Sequence, residues 1–130
     1  SGHNFISTGL GADSITATGG NNVIDAGDGA NTITVTDGDN IIITGNGADN
    51  ITTAGNAAGQ LTNGTWIQGT VNTINAGDGA NTITTGAGED HITGGINADT
   101  ITSGAGNDTV FAGNGANTIT TGDGDDVIHT

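Results

Sequence analysis

The chain has 130 residues and a formal charge of −14, with no Lys, no Arg and no Cys. That charge repels nucleic-acid backbones and anionic lipid surfaces, and the missing Cys excludes disulfides and thiol chemistry. Large apolar residues are as scarce as in disordered chains, so a fold must come from how the few are placed.

Their placement has a period of nine. In chain order the blocks read TGLGADSIT (8–16), ATGGNNVID (17–25), AGDGANTIT (26–34), VTDGDNIII (35–43) and TGNGADNIT (44–52). After an interruption come AGDGANTIT (76–84), TGAGEDHIT (85–93), GGINADTIT (94–102), SGAGNDTVF (103–111), AGNGANTIT (112–120) and TGDGDDVIH (121–129). The eighth position is Ile or Val in every block, from Ile6 and Ile15 to Ile119 and Ile128.

Each block divides in two. Positions one to six are rich in Gly, which suits tight turns. Positions seven to nine, often Thr-Ile-Thr, are β-branched and suit a short strand. In a three-residue strand the middle side chain points one way and its neighbours the other, so position eight faces inward. Two blocks make one coil of 18 residues, and stacked coils pair as parallel strands. The predicted fold is all-β, a parallel β-roll or β-solenoid of nine-residue half-coils. It has about six coils in one domain over residues 1–130, with repeats at 8–52 and 76–129. Apolar residues do not recur at helical spacing, and Gly is too frequent for helix. A core this thin calls for support from bound metal or from neighbours at its ends.

The interruption, residues 53–75, stands in place of one block of nine and so adds about 14 residues, with an inserted loop at about 53–71. It holds the only Trp, Trp66, and re-enters in phase at Asn72-Thr73-Ile74-Asn75. We expect it to fold over the apolar outer face, with Trp66 near Ile41 or Ile43. The alternative is a recognition loop anchored by Trp66.

The blocks resemble the nonapeptide G-G-x-G-x-D-x-U-x of the RTX family, the hemolysin-type calcium-binding repeats. The resemblance covers nearly all of the chain outside 53–75. It implies Ca²⁺ ions held between successive turns by backbone carbonyls and the position-six Asp. The composition is compatible, since Ca²⁺ takes six to eight oxygens from carboxylates and carbonyls. Turns that share an ion would be 18 residues apart. The family pattern is best matched by Asp90, Asp108 and Asp126, with Gly86 and Gly88, Gly104 and Gly106, and Gly122 and Gly124 in their turns. Asp13, Asp49 and Asp99 occupy position six on the other side. Half of the position-six residues are Asn, and several of those turns carry an acid at position three, as in Asp28 and Asp78. Two readings stay open there. The Asn turns bind calcium, or Asn simply tolerates left-handed turn geometry and hydrogen-bonds along the stack. The first Gly of the family pattern is replaced by Thr, Ala or Ser in most blocks.

Alternate blocks give two unlike outer faces. One carries Ser14, Thr16, Thr32, Thr34, Asn50, Thr52, Thr82, Thr84, Thr100, Thr102, Thr118 and Thr120. This regular array resembles the ice-binding faces of some antifreeze solenoids. The other face exposes Phe5, Ile41, Ile43 and Phe111, which marks a contact surface.

The expected function is a calcium-binding, calcium-stabilised structural β-roll segment carrying several Ca²⁺ ions. Its place would be a secreted or cell-surface bacterial protein, by type I-like secretion as the resemblance implies. Self-association, end-to-end or lateral, into a filament, matrix or adhesin stalk is expected. Two alternatives are an ice-binding solenoid and the RTX stalk of a larger toxin or secreted enzyme. No nucleic-acid partner, no direct membrane insertion and no catalysis are expected, since His3, His91 and His129 show no nucleophile–base pattern. With no signal peptide and no initiator Met, the chain reads as a segment or processed product of something longer.

Overall fold

A computed structural model describes residues 2–54, 60–62, 65–67 and 70–130. The described chain is all β-strand and turn, wound as a parallel solenoid. One sheet runs β1 (Phe5–Ser7), β3 (Val23–Asp25), β5 (Ile41–Ile43), β9 (Thr73–Asn75), β11 (His91–Thr93), β13 (Thr109–Phe111) and β15 (Val127–His129). The other runs β2 (Ser14–Thr18), β4 (Thr32–Thr36), β6 (Asn50–Ala54), β10 (Thr82–Thr84), β12 (Thr100–Thr102) and β14 (Thr118–Thr120). Successive strands alternate between sheets, so each coil contributes one strand to each.

Every pairing within these sheets is parallel and joins like positions: Ile15 with Ile33, Ile24 with Ile42, Ile83 with Ile101. The register survives the interruption, where Ile42 pairs with Ile74 and Ile51 with Ile83. A slip of one residue would turn the whole Ile series to solvent, which pins this register. Inside the interruption, β7 (Gln60–Thr62) and β8 (Thr65–Ile67) pair antiparallel, with Leu61 opposite Trp66. The inserted segment thus contains an antiparallel strand pair, and Thr53 and Ala54, which the sequence places in the loop, belong to β6. The expected cover of Ile41 and Ile43 by Trp66 lies outside the described residues.

The core is more than the Ile series. Ile24, Ile33, Ile42, Ile51, Ile83 and Ile101 are fully buried, and Ile6 and Ile119 pack against them half-buried. Ile128, in the last rung, is 45% exposed because it is covered from one side only. Position one is also buried: Ala17, Ala26, Val35, Ala76 and Ala112, with Thr44, Thr53, Thr85 and Ser103. Side chains alternate along extended chain, so residues two before and two after position eight share its face. Position one therefore holds a core residue, and its Ala, Val, Thr and Ser fill space that Gly would leave empty.

Strand length departs from the uniform three residues expected. β2, β4 and β6 have five residues each. In these blocks position two is Thr18, Thr36 or Ala54 rather than Gly, and the strand continues through it. The left-handed turn residue moves accordingly. It is Gly27 at position two of a short block (φ 67°) but Gly19 (φ 67°) or Asp37 (φ 69°) at position three of a long one. No helix of the described residues is long and apolar enough to cross a membrane.

Candidate metal centre

Position six lies two residues before the buried Ile, and the same alternation turns its side chain inward. Asn22, Asn31, Asn40, Asp49, Asn72, Asn81, Asp90, Asp99 and Asp108 are all buried. These side chains form two rows, one at each edge of the roll. One row alternates: Asp13, Asn31, Asp49, Asn81, Asp99, Asn117. The other is segregated: Asn4, Asn22, Asn40, Asn72, then Asp90, Asp108, Asp126.

One oxygen of most of these side chains has a structural role. Oδ1 accepts the backbone N–H of position six in the preceding coil in Asn31, Asn40, Asp49, Asn81, Asp90, Asp99, Asp108, Asn117 and Asp126. The Asn22 N–H donates to Asn40 Oδ1 (3.1 Å), Asn31 to Asp49 (2.8 Å) and Asn81 to Asp99 (2.9 Å). Asp90 N–H donates to Asp108 Oδ1 (2.9 Å) and Asp108 N–H to Asp126 Oδ1 (3.0 Å). Asp and Asn serve equally well here, because both offer a carbonyl-type oxygen.

The second atom separates them. In Asn turns Nδ2 donates to Gly carbonyls of the turn. Asn22 reaches Gly20 O (2.7 Å), Asn40 reaches Gly38 O (2.7 Å), and Asn31 reaches Gly27 O and Gly29 O (3.2 and 3.0 Å). In Asp turns that atom is Oδ2, which has nothing to donate. The Oδ2 atoms of Asp13, Asp49, Asp90, Asp99 and Asp108 are buried with no hydrogen-bond partner. A buried unpartnered carboxylate oxygen is costly, so these turns call for a cation where the Asn turns have an N–H.

The electrostatics agree. Burial pushes the Asp108 carboxyl above its usual range. The Asp90 N–H pulls it back, and so does the Ser103 hydroxyl, which lies near without a hydrogen bond of good geometry. The charges of Asp90 and Asp126 push it up again. Burial likewise raises Asp99, opposed by the N–H and side chain of Asn81. Oxygens that repel one another in this way suit a hard divalent ion.

The turn glycines stack tightly. A Cβ on Gly104 would run into the carbonyl oxygen of Gly86, and one on Gly122 into that of Gly104. Gly106 and Gly124 are set in the same way against Gly88 and Gly106. Both have positive φ, 131° and 148°. Carbonyls of successive turns thus stack closely along the edge of the roll. Among the described residues no three His, Asp or Glu side chains gather in one cluster, so a cation held by these carboxylates would have to draw further oxygens from backbone carbonyls.

Of the residues singled out from sequence, Asp90, Asp108 and Asp126 form one row, and Asp13, Asp49 and Asp99 alternate with Asn in the other. Asp28 and Asp78 are not with them. Both are exposed on the outside of their turns, where Asp28 Oδ1 accepts the Asn46 backbone N–H (2.8 Å). Sequence reading missed position one: the Thr44 and Thr85 hydroxyls donate to Ala76 O (2.7 Å) and Ser103 O (2.6 Å) of the next coil. The signal was the two-residue alternation continued past position nine.

The Thr array faces outward from the second sheet, with Thr82, Thr100 and Thr118 in register and Thr84, Thr102 and Thr120 beside them. Thr32 and Thr34 continue it through Asn50 and Thr52. Phe5, Ile41, Ile43 and Phe111 are exposed on the first sheet, where Phe111 stacks on His129 at 4.6 Å.

No similar curated protein and no similar solved structure was found. The profile of the RTX calcium-binding nonapeptide repeat matches in four copies, over residues 1–33, 25–56, 68–101 and 102–130. With that match across most of the chain, and with carboxylates buried beside the stacked glycine turns, the protein belongs to the RTX calcium-binding nonapeptide repeat family.

Proposed function

We propose that this chain is a calcium-stabilised structural segment of a secreted or cell-surface bacterial protein. One observation carries the reading: four buried Asp side chains, Asp49, Asp90, Asp99 and Asp108, each with one oxygen tied into the backbone ladder and the other without a partner. Calcium supplies the positive charge these oxygens lack, and the chain's residues orient them and exclude water around them. Isothermal titration of the metal-free chain with Ca²⁺ tests this, together with circular dichroism in EGTA. Absence of binding, with β-structure unchanged by EGTA, would sink the reading.

The role is structural rather than catalytic. Lateral self-association through Phe5, Ile41, Ile43 and Phe111 fits the exposed apolar row and leads to a filament, matrix or adhesin stalk. Sedimentation of the Ile41→Ser/Phe111→Ser variant in calcium checks it; an unchanged oligomer distribution counts against it. Millimolar calcium outside cells suits weak sites of this class.

A second reading is ice binding by the Thr face. The in-register rungs Thr82–Thr100–Thr118 and Thr84–Thr102–Thr120 favour it. Thermal hysteresis that is present in the calcium-loaded chain and lost in Thr100→Tyr supports it. A chain without hysteresis refutes it.

A further inference from the structure

The two kinds of position-six residue are unevenly distributed along the roll. Up to residue 81 the series is Asn4, Asp13, Asn22, Asn31, Asn40, Asp49, Asn72, Asn81. From residue 90 it is Asp90, Asp99, Asp108, Asn117, Asp126. The apolar core does not share this asymmetry, since Ile33 and Ile101 are equally buried.

In the segregated row the asparagines form a continuous ladder of side-chain amides. Asn4 Nδ2 donates to Asn22 Oδ1 (2.8 Å), Asn22 to Asn40 (2.9 Å), Asn40 to Asn72 (3.0 Å) and Asn72 to Asp90 (2.9 Å). The ladder crosses the insertion without a break. Stacked amides of this kind satisfy both halves of the group along the stack and need no ion.

The ladder stops at Asp90, whose carboxylate has no N–H to pass on. Beyond it Asp90 Oδ2 and Asp108 Oδ2 are buried and unpartnered. The carboxylates of Asp90, Asp108 and Asp126 sit in adjacent coils, roughly 4.8 Å apart by strand spacing. In the alternating row Asp13 and Asp49 are separated by Asn31, which doubles the distance between charges to about a Debye length.

We infer that the coils built on the asparagine ladder order without a cation, the isolated carboxylates of Asp13 and Asp49 weakening them without preventing it, and serve as a template. The coils carrying Asp90, Asp108 and Asp126 add to it only when Ca²⁺ binds. Calcium therefore sets the length of the ordered roll rather than switching the whole of it. The inference rests on calcium being the ion of the Asp turns, and its test separates the two claims.

The test is amide hydrogen exchange of the full chain, read by peptide, in EGTA and in millimolar CaCl₂. Slow exchange over 14–52 in both conditions is expected. Exchange over 109–129 is expected to be at least ten-fold faster in EGTA and slow in calcium. If both regions are protected or unprotected together in EGTA, and calcium slows both together, the template is refuted while calcium binding stands. If calcium changes nothing anywhere, the calcium reading itself fails, and the template with it. A triple variant, Asp90→Asn/Asp108→Asn/Asp126→Asn, extends the amide ladder. Protection over 109–129 in EGTA is expected for it, and continued fast exchange there would overturn the inference.

Discussion

Asn40→Asp isolates the difference between an amide rung and a carboxylate rung. Asn40 is buried, and its Nδ2 donates to Gly38 O (2.7 Å) and Asn72 Oδ1 (3.0 Å). Its Oδ1 accepts from Asn22 through both N–H (3.1 Å) and Nδ2 (2.9 Å). The substitution keeps Oδ1 and its partners but replaces a donor with a charged oxygen facing two acceptors. Two hydrogen bonds worth about 1 kcal/mol each are lost, and a buried charge is left uncompensated. Comparable losses of one partner in a buried ion pair cost about 3–5 kcal/mol, and the same range is expected here at neutral pH in EGTA. Urea unfolding followed by far-UV circular dichroism measures it. Asn114→Asp is the control, because Asn114 is exposed and its change stays within about 0.5 kcal/mol. Saturating calcium is expected to shrink the Asn40→Asp loss, since the new carboxylate then resembles Asp90. Acid is expected to shrink it too, since a protonated carboxyl donates again. A loss in EGTA no larger than that of the control would refute the claim that amide rungs hold these coils.

Ile83→Ala removes a fully buried side chain between Ile51 and Ile101 and is expected to cost about 2–5 kcal/mol in calcium, read from urea midpoints. Gly104→Ala puts a methyl group into the Gly86 carbonyl at a positive φ of 86° and is expected to weaken calcium affinity measured by titration calorimetry. Gly9→Ala, whose Cβ would meet nothing within 4 Å, is expected to leave both affinity and stability unchanged. The raised pKa values of Asp99 and Asp108 mean that the folded chain binds more protons than the unfolded chain, whose carboxyls titrate near 3.8. Their contribution to stability without metal therefore falls as pH rises above about 3.8 and is most favourable in acid. Urea midpoints in EGTA from pH 3.5 to 6 are expected to decline for this reason, and the decline to flatten in Asp99→Asn/Asp108→Asn.

Much of this architecture was legible in the order of residues. The unbroken Ile or Val series at position eight, with Gly-rich turns before it and β-branched neighbours beside it, defines a strand of fixed inward residue and a turn of fixed length. From that follow the 18-residue coil, the parallel register and the outward Thr array. The Asp row at 90, 108 and 126 was legible because like positions of alternate blocks must stack. Position one stands where the family pattern has its first Gly, and only strand alternation carried past position nine shows it to be a core position. Val35 and Ala112 are core residues for the same reason as Ile33. The five-residue strands were also readable, since Thr18, Thr36 and Ala54 stand where other blocks have Gly.

What the sequence alone determined is periodic: which residues face inward, which coils adjoin and which carboxylates share a row. It could not decide between two readings of the Asn turns, because that choice depends on where Nδ2 points. Only the tertiary structure shows Asn22 and Asn40 directing it at turn carbonyls, while Asp90 and Asp108 leave Oδ2 buried and alone. Asn and Asp differ by one donor, and whether that donor matters is a property of the neighbours that stacking brings within three ångströms. The turn carbonyls lie two residues back, but the amides above and below are 18 residues away along the chain, or 32 across the insertion, so only the folded coil sets what each rung requires.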